Sequence, residues 1–454
     1  MTIKMGQRKD IECKVERLTS GPKHHLFGFH DLIISNKADT KYLCLEADTI
    51  NRPPLPGERF GVGYVEEGQF IKIGETTAMN YPQGSRQQWV GGTNSFTVNN
   101  LISNNWGTDL YDASSNILVD RFPFPTHMLS SNGKYSYGLD YARLFRLGGY
   151  GYPGVDDSQG HIPANTGISL GNLFDGSFRT LISVEDVVNC GLAEKRNSTF
   201  FHYLTHLCLN PSNTRIAFLH RYYTSNGSMN TRLMTVGVDG TDLRCVCQGA
   251  LSHYYWLDDT TIYIYGRANK AIDSVQDNRF FSNSVVSFAF DCAKKMARKL
   301  LKHTNINYSG KHFMYVGDKE NANAKEFATD IMPTDGHPMT NPYARDWCVN
   351  DTYPDKEGVR DLMLYNFKTD VRINIGRFKR LFELPDMDQK EEFFNGVDSK
   401  IREWIADEEL AFTRSGLHCD LHPRWNSNGK YVVFDSIHEG SRQVYRVDVN
   451  VYLQ

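Results

Sequence analysis

The sequence predicts an all-β fold: a seven-bladed β-propeller with loop insertions and one short helical insertion. Two observations carry this prediction. Units made of a turn, a strand, a loop and a second strand recur along the 454-residue chain, and such repetition is typical of propeller blades. The chain also contains 37 glycines and 12% aromatic residues, as expected for many short strands joined by tight turns.

The clearest unit lies near the C-terminus. Residues 426–429 (Asn-Ser-Asn-Gly) form a predicted turn, and residues 430–434 are a β-branched and aromatic run that predicts a strand. A second turn at residues 439–442 precedes residues 443–449, which alternate like the next strand. Similar units begin at residues 130, 210 and 341. The repeat therefore runs through most of the chain.

We expect one propeller domain over residues 1–454. Residues 386–407 interrupt the strand pattern with apolar side chains at three-to-four-residue spacing, which predicts an amphipathic helix inserted before the last blade. Residues 304–335 are expected to be irregular, and the N-terminal segment is expected to add a strand to the last blade and close the ring. The predicted blades cover about residues 27–75, 87–119, 126–190, 202–248, 253–303, 336–378 and 417–450.

The composition of the chain argues against nucleic acid and membranes as partners. The net charge of −3 gives no overall field that would favour nucleic acid. No apolar run approaches the roughly 20 residues of a membrane helix, so no membrane insertion is expected. The first ten residues lack the apolar core of a secretory signal, and nine cysteines without regular spacing indicate reduced thiols. A cytoplasmic location is the expectation.

Four histidines stand at the same place in successive predicted blades, at or just before the innermost strand. They are His206, His253, His337 and His422. Equivalent positions in different blades converge on the central channel of a propeller. We therefore expect these imidazoles to form one cluster, although an isolated histidine before a strand is more often structural.

His418, Asp420 and His422 alternate along one extended segment. Side chains at i, i+2 and i+4 of a strand project from one face. These three residues are candidate metal ligands. Imidazoles and a carboxylate suit a borderline divalent ion such as Mn²⁺, Zn²⁺ or Ni²⁺.

Two insertions have the composition of ligand-contacting loops. Residues 77–89 mix amides, an arginine and aromatics, which suits sugar hydroxyls and ring faces. Residues 141–154 are rich in glycine and tyrosine and carry two arginines. Ordinary connecting loops are the alternative reading of both. The candidate substrate-binding residues are Arg86, Gln88, Trp89, Arg143, Tyr150, Tyr152 and Arg221.

Several segments resemble the oligogalacturonate lyase family. They are residues 205–221, 251–256 (Leu-Ser-His-Tyr-Tyr-Trp), 335–338 (Asp-Gly-His-Pro) and 422–445, so the likeness covers roughly residues 200–450. The family consists of seven-bladed propellers related to the TolB-type repeat. The resemblance implies metal-dependent β-elimination on uronic-acid oligosaccharides, with Mn²⁺ held by histidines and a glutamine, a histidine base and an arginine nearby.

Carried onto this chain, the resemblance implies that His253 is the base, that Arg232 is the arginine and that His337 and His422 bind the metal. The family has a Gln-x-x-His-x-His pattern. Here Cys419 stands at the glutamine place and Arg424 at the last histidine place. The resemblance then requires a ligand set rebuilt from His418 and Asp420.

The sequence thus predicts an enzyme that cleaves uronic-acid-containing oligosaccharides or polysaccharides by β-elimination, because a cation on the carboxylate stabilises the charge that develops when a histidine removes the C5 proton. A propeller that binds a glycan or a protein without catalysis is one alternative. Another is a hydrolase or transferase of surface-polysaccharide metabolism. The chain has no Walker or HExxH motif, which argues against P-loop NTPases and zincins.

Overall fold

The structure, a computed structural model, describes residues 6–191, 200–225, 227–268, 310–379, 394, 396–405, 410 and 413–453. Short strands dominate these residues, as the sequence predicts. In chain order the strands are β1 (Gln7–Asp10), β2 (Val15–Arg17), β3 (His24–Leu26), β4 (Tyr42–Ala47), β5 (Phe60–Glu66), β6 (Gln69–Thr76), β7 (Gln88–Trp89), β8 (Ser95–Ile102), β9 (Asn105–Asp112), β10 (Ile117–Phe122), β11 (Met128–Leu129), β12 (Tyr135–Leu139), β13 (Gly167–Asn172), β14 (Phe178–Ser183), β15 (Phe201–Leu209), β16 (Arg215–Tyr223), β17 (Met229–Gly237), β18 (Arg244–Trp256), β19 (Thr261–Ala268), β20 (His312–Gly317), β21 (Lys325–Phe327), β22 (Met339–Thr340), β23 (Trp347–Asp351), β24 (Val359–Asn366), β25 (Val371–Lys379), β26 (Arg424–Trp425), β27 (Tyr431–Ser436) and β28 (Gln443–Asp448).

The strands form up-and-down meanders that correspond to seven blades. Three blades are the sheets β3–β6, β7–β10 and β11–β14. A seven-stranded sheet, β15–β21, contains the next two blades, because the long strand β18 pairs with β17 over its first half and with β19 over its second half. The sixth blade is β22–β25 and the seventh is β26–β28. The predicted all-β propeller is confirmed.

One turn chemistry recurs at the first hairpin of the blades. In the last blade the Asn426 side chain accepts hydrogen bonds from the backbone N–H groups of Lys430 (3.0 Å) and Tyr431 (2.9 Å). Asn36 and Asn210 make the same pair of contacts in their own blades. Asparagine side chains stabilise turns by such contacts. The repeated turn in the sequence therefore has a structural cause.

The N-terminal segment closes the ring, as predicted. Strand β2 pairs antiparallel with β28, placing Val15 opposite Val447 and Arg17 opposite Tyr445. Strand β1 adds in parallel to β25 of the sixth blade, which the sequence pattern did not indicate. The fifth blade also extends beyond its predicted end, because β20 and β21 lie in the stretch expected to be irregular.

In the part of the chain that the structure describes, three short α-helices interrupt the strand pattern: α1 (Tyr141–Arg146), α2 (Val184–Asn189) and α3 (Ser399–Trp404). Helix α3 belongs to the predicted helical insertion, of which residues 386–393, 395 and 406–407 lie outside the described part of the chain. Helix α1 begins a segment that was expected to be a loop. Asp140 caps it by accepting the N–H of Arg143. Among the described helices, none has the length and apolarity needed to cross a membrane.

Candidate functional site in the propeller channel

One backbone position is shared by all seven blades. In each blade, a backbone N–H hydrogen bond closes the turn between the first two strands. The shared position lies four residues before the residue that donates this N–H. Four consecutive blades carry histidine at this position, so the register inferred from the sequence is present in the fold. In chain order the position is occupied by Leu32, Arg86, Thr126, His206, His253, His337 and His422.

The four imidazoles come together. The ring centroids of His253 and His337 are 4.3 Å apart, those of His337 and His422 are 4.3 Å apart, and those of His206 and His253 are 6.4 Å apart. All four side chains are buried. His206 (φ 58°) and His422 (φ 42°) adopt the left-handed backbone conformation, which is costly for residues other than glycine and clusters at functional sites.

Asp351 orients two histidines of the cluster. Its Oδ1 accepts hydrogen bonds from Nδ1 of His337 (2.8 Å) and from the His337 backbone N–H (2.8 Å), and its Oδ2 accepts the N–H of His422 (3.2 Å). With Nδ1 of His337 donating, its Nε2 carries the lone pair that a metal needs. Burial lowers the pKa of His337, but Asp351 and Asp420 outweigh it and raise that pKa overall.

Asp420 is an ionised carboxylate inside the cluster. Its Oδ1 accepts a hydrogen bond from Nη2 of Arg360 (3.0 Å), and its Oδ2 lies 2.8 Å from Nε2 of His418 and 3.9 Å from Nε2 of His337. Burial raises the pKa of Asp420, yet His418 and Arg360 hold it well below its usual range. The carboxylate is therefore charged at any working pH.

Three residues offer a site for a metal ion. One donor atom from each of His337, Asp420 and His422 lies within 4.8 Å of the others. Nδ1 of His422 is buried without a hydrogen-bond partner among the described residues, and burial and His337 hold the pKa of His422 well below its usual value. A neutral, unpartnered imidazole is what a metal ligand requires. Two imidazoles and a carboxylate fit a borderline divalent ion.

His418 contacts Asp420 and lies outside the three-residue group. It was predicted to be a ligand, but it does not belong to the three-residue group, because its Nε2 is used by Asp420. Cys419, at the place of the family's glutamine, is buried within the core beneath the first blade. Arg424 donates to the carbonyl of His422 (3.0 Å) and to that of Gly28, so it joins the last blade to the first.

His253 has the arrangement of a general base. Its Nδ1 lies 3.2 Å from Oδ1 of Asp335 and 3.1 Å from Oγ of Ser252. Burial raises the pKa of Asp335, but the neighbouring His253 lowers it overall, so the carboxylate is charged. Donation from Nδ1 to this carboxylate leaves Nε2 with the lone pair that accepts a proton.

Arg232 does not join His253, contrary to the role implied by the resemblance. It lies on β17, the third strand of its blade, and is buried. Its Nη1 donates to the carbonyl of Val187 (3.1 Å) and lies 3.2 Å from Nδ1 of His220, and its Nη2 donates to the carbonyl of Cys190. The guanidinium is therefore engaged in anchoring the segment that carries α2.

The three residues predicted from the 77–89 loop connect blades and do not reach the cluster. Arg86 forms a buried two-bond ion pair with Asp31, with both N–O distances 2.9 Å. Gln88 accepts the N–H of Leu129 (2.9 Å). Trp89 donates its indole N–H to the carbonyl of Ile34 (2.8 Å). These side chains are used internally, because a polar group in a buried loop must find a partner there.

The 141–154 segment divides into structural residues and one residue at the channel. Arg143 donates to the carbonyls of His202 (2.7 Å) and His161 (2.8 Å), and Tyr152 is fully buried and stacks on Tyr141. Neither is available to a ligand. Tyr150, by contrast, is partly exposed, and its ring lies 5.8 Å from that of His206.

Arg221 is the other predicted substrate-binding residue that lies near the cluster. It is partly exposed on β16, opposite Tyr203. Its positive charge contributes to lowering the pKa of His206, after the larger effect of burial. Of the seven predicted substrate-binding residues, the structure therefore brings Tyr150 and Arg221 to the channel.

Several residues of the site were missed by sequence reasoning. The Phe29 ring lies 5.1 Å from that of His206 and 5.0 Å from that of His422, and His30 lies 5.5 Å from His337. The Phe-His-Asp run ahead of the first turn was a usable signal. Asp335, Asp351, Arg360 and Tyr353 gave none, since each contacts the site only once the ring is folded, either within its own blade or across a blade boundary.

These features define the class: a seven-bladed propeller whose channel holds a His–Asp–His group beside a histidine oriented by a carboxylate.

No protein-family model matches the chain, and none of the curated proteins compared with it matches significantly. Solved structures do match. An oligogalacturonate lyase from Vibrio parahaemolyticus is 12% identical over 97% of this chain and 95% of its own, with a TM-score of 0.55. An oligogalacturonate lyase in complex with manganese is 11% identical over 99% of this chain and 100% of its own, with a TM-score of 0.56. The chain is a distant structural relative of these lyases, and the resemblance read from its motifs is confirmed in the fold.

Proposed function

We propose that this protein is a metal-dependent lyase that cleaves uronic-acid-containing oligosaccharides or polysaccharides by β-elimination, with His253 as the base. The observation that carries the proposal is the placement of a carboxylate-oriented histidine against a metal-competent group. The ring of His253 lies 4.3 Å from that of His337, and Nδ1 of His253 is held by Asp335.

The reaction needs two functions at this spacing. In a uronate the carboxylate is attached to C5, so a site that binds the carboxylate also presents the C5 proton close by. His337, Asp420 and His422 would hold a divalent ion, which would supply Lewis-acid stabilisation of the charge that develops as that proton leaves. Manganese is the first expectation, because one of the similar structures is a manganese complex.

The residues of this chain perform the remaining work. His253 accepts the C5 proton at Nε2, and Asp335 stabilises the imidazolium that forms. Asp351 keeps the proton of His337 on Nδ1, so that Nε2 stays a donor atom. Arg360 and His418 hold Asp420 in place.

The metal site is tested by elemental analysis of the purified protein and of a His337→Ala/His422→Ala double variant. We expect near-stoichiometric Mn, Zn or Ni in the first and none in the second. His438→Ala is the matched control, because His438 hydrogen-bonds Ser436 outside the channel and its loss should leave the metal content unchanged. A native protein that holds no metal and takes none up on titration would contradict the proposal and favour the glycan- or protein-binding propeller.

The base is tested by His253→Ala. Turnover of uronides, followed by the absorbance of the unsaturated product, should fall about 10²–10⁴-fold, the usual contribution of a general base. Metal content and melting temperature should stay at their wild-type values, because His253 is not among the three ligands. Wild-type turnover in this variant would remove His253 as the base.

A further inference from the structure

The elimination also needs a proton donor for the departing oxygen, and the wall of the channel offers Tyr150. Its ring lies 5.8 Å from that of His206 and 6.5 Å from that of Phe29. Its side chain is partly exposed, and none of the described residues forms a hydrogen bond with its hydroxyl. Tyr152, two residues on, differs in both respects, because it is fully buried and its hydroxyl accepts a hydrogen bond from Asn99 (3.1 Å).

The backbone holds Tyr150 rigidly in this position. The N–H of Gly149 donates to the carbonyl of Leu144 (2.7 Å), and the side chain of Asn80 donates to the carbonyl of Tyr150 (3.2 Å). A Cβ on Gly151 would lie 2.1 Å from the backbone nitrogen of Phe145. The chain after α1 is therefore folded tightly back on the helix, and only glycine fits there.

Arg221 provides a positive charge beside Tyr150. Its Nε is buried and has no acceptor among the described residues, although a buried cation normally has a partner. Burial raises the pKa of Tyr150 to about 12, and the charge of Arg221 is the largest influence in the opposite direction. A guanidinium whose Nε has no acceptor among the described residues is suited to an anion that forms during the reaction.

A second tyrosine, Tyr353, also lies near the cluster. The ring of Tyr353 lies 5.5 Å from that of His337. Burial and then the carboxylates of Asp420 and Asp335 raise its pKa well above the ordinary value. Asp420 and Asp335 raise the pKa of both tyrosines, but at Tyr150 the charge of Arg221 acts against them.

We propose that Tyr150 is the general acid of the elimination and that Arg221 stabilises its phenolate. This inference rests on the proposed lyase function. The C5 proton moves to Nε2 of His253, and the electron pair of the C5–H bond forms the C4–C5 double bond. The C4–O bond breaks with its electron pair on oxygen, and that oxygen takes the phenolic proton of Tyr150. The products are an unsaturated uronide and a free sugar hydroxyl. Water then removes the proton from His253 and returns one to Tyr150, so no co-reactant is needed.

Tyr150→Phe tests the proposal with two substrates. One is a uronide oligosaccharide, whose leaving group is a sugar alkoxide that needs a proton. The other is a uronide carrying 4-nitrophenolate at C4, which leaves as a stable anion. We expect kcat on the oligosaccharide to fall about 10²–10⁴-fold, as for loss of a general acid, and kcat on the nitrophenyl substrate to fall far less. The variant removes a hydroxyl that bonds no described residue, so it should fold normally.

Two further variants distinguish a loss of proton donation from a general change in the structure of the site. Arg221→Gln should show the same selective loss as Tyr150→Phe with a smaller factor, because the phenolate then forms without its cation. Tyr353→Phe should change kcat on both substrates by the same factor. Equal losses on the two substrates in Tyr150→Phe, or full activity of that variant on the oligosaccharide, would overturn the inference alone. A wild-type protein that turns over neither substrate would overturn the lyase function together with it.

Discussion

The two halves of the ring use one backbone position for different purposes. In blades four to seven that position carries histidines that meet in the channel. In blade two it carries Arg86, whose guanidinium is buried against Asp31 of blade one. Arg86 (φ 54°) and His206 (φ 58°) share the left-handed backbone conformation. The propeller repeat thus directs a side chain inward in every blade, and the residue type decides whether it serves chemistry or cohesion.

Blades one to three, in which this position does not carry histidine, also support the histidine-bearing blades four to seven. Asp31 immediately follows Phe29 and His30, whose rings lie against the histidine cluster. The ion pair with Arg86 therefore holds this segment of the first blade over the channel. The structural residues in blades one to three are a condition for the geometry of the site, although they do not contact a substrate themselves.

The largest effect is expected from removing the ion pair between Arg86 and Asp31, which joins the first two blades. Arg86→Ala leaves the Asp31 carboxylate buried without its partner, which typically costs about 3–5 kcal/mol of unfolding free energy. Chemical denaturation measures the change. The double variant Arg86→Met/Asp31→Asn removes both charges and should recover most of the loss. A cost close to zero in Arg86→Ala would show that the ion pair does not hold the two blades together.

Arg232 lies in one of the histidine-bearing blades, and its substitution tests whether it has a structural or a catalytic role. Its hydrogen bonds to the carbonyls of Val187 and Cys190 assign it to cohesion. Arg232→Gln should lower the unfolding free energy by about 1–3 kcal/mol, the cost of unsatisfied buried partners, and leave kcat on uronides unchanged. Differential scanning and steady-state kinetics on one preparation test this. A lower kcat at unchanged stability would return Arg232 to the catalytic group.

Asp351 should affect metal binding more than folding. Asp351→Asn removes the carboxylate that orients His337, and loss of such a partner typically weakens metal affinity about 10–100-fold. Mn²⁺ titration calorimetry gives the change. Asp361→Asn is the control in the same blade, because Asp361 pairs with Arg372. If the two variants bind Mn²⁺ equally well, Asp351 is not an orienting residue.

The smallest effect is a shift in pH dependence. A metal ligand must be deprotonated, and Asp351 and Asp420 raise the pKa of His337 above its ordinary value despite its burial. Metal affinity should therefore be complete above that raised pKa and decline as the pH falls through it. Titrations from about pH 5 to 8 locate the midpoint, and Asp351→Asn should move it to lower pH. An unchanged midpoint would show that Asp351 does not act on the proton of His337.

The number of blades, the blade repeat and the histidine register followed from local patterns. Alternation of side chains and asparagine-containing turns are properties of short segments, and a repeat places equivalent residues at equivalent depths. The same reasoning failed for Arg86, Arg143 and Tyr152, because a polar residue in a loop has the same sequence appearance whether it faces solvent or a buried carbonyl.

The partners of the histidines depend on the assembled ring. Asp351 is 14 residues from His337 in the chain, and Asp335 is 82 residues from His253. Each pair meets because strands of one blade lie side by side or because neighbouring blades stack around the channel. Local sequence therefore predicts which imidazoles meet in the channel, whereas the proton positions on His253 and His337 depend on carboxylates that only the folded ring brings within hydrogen-bond distance.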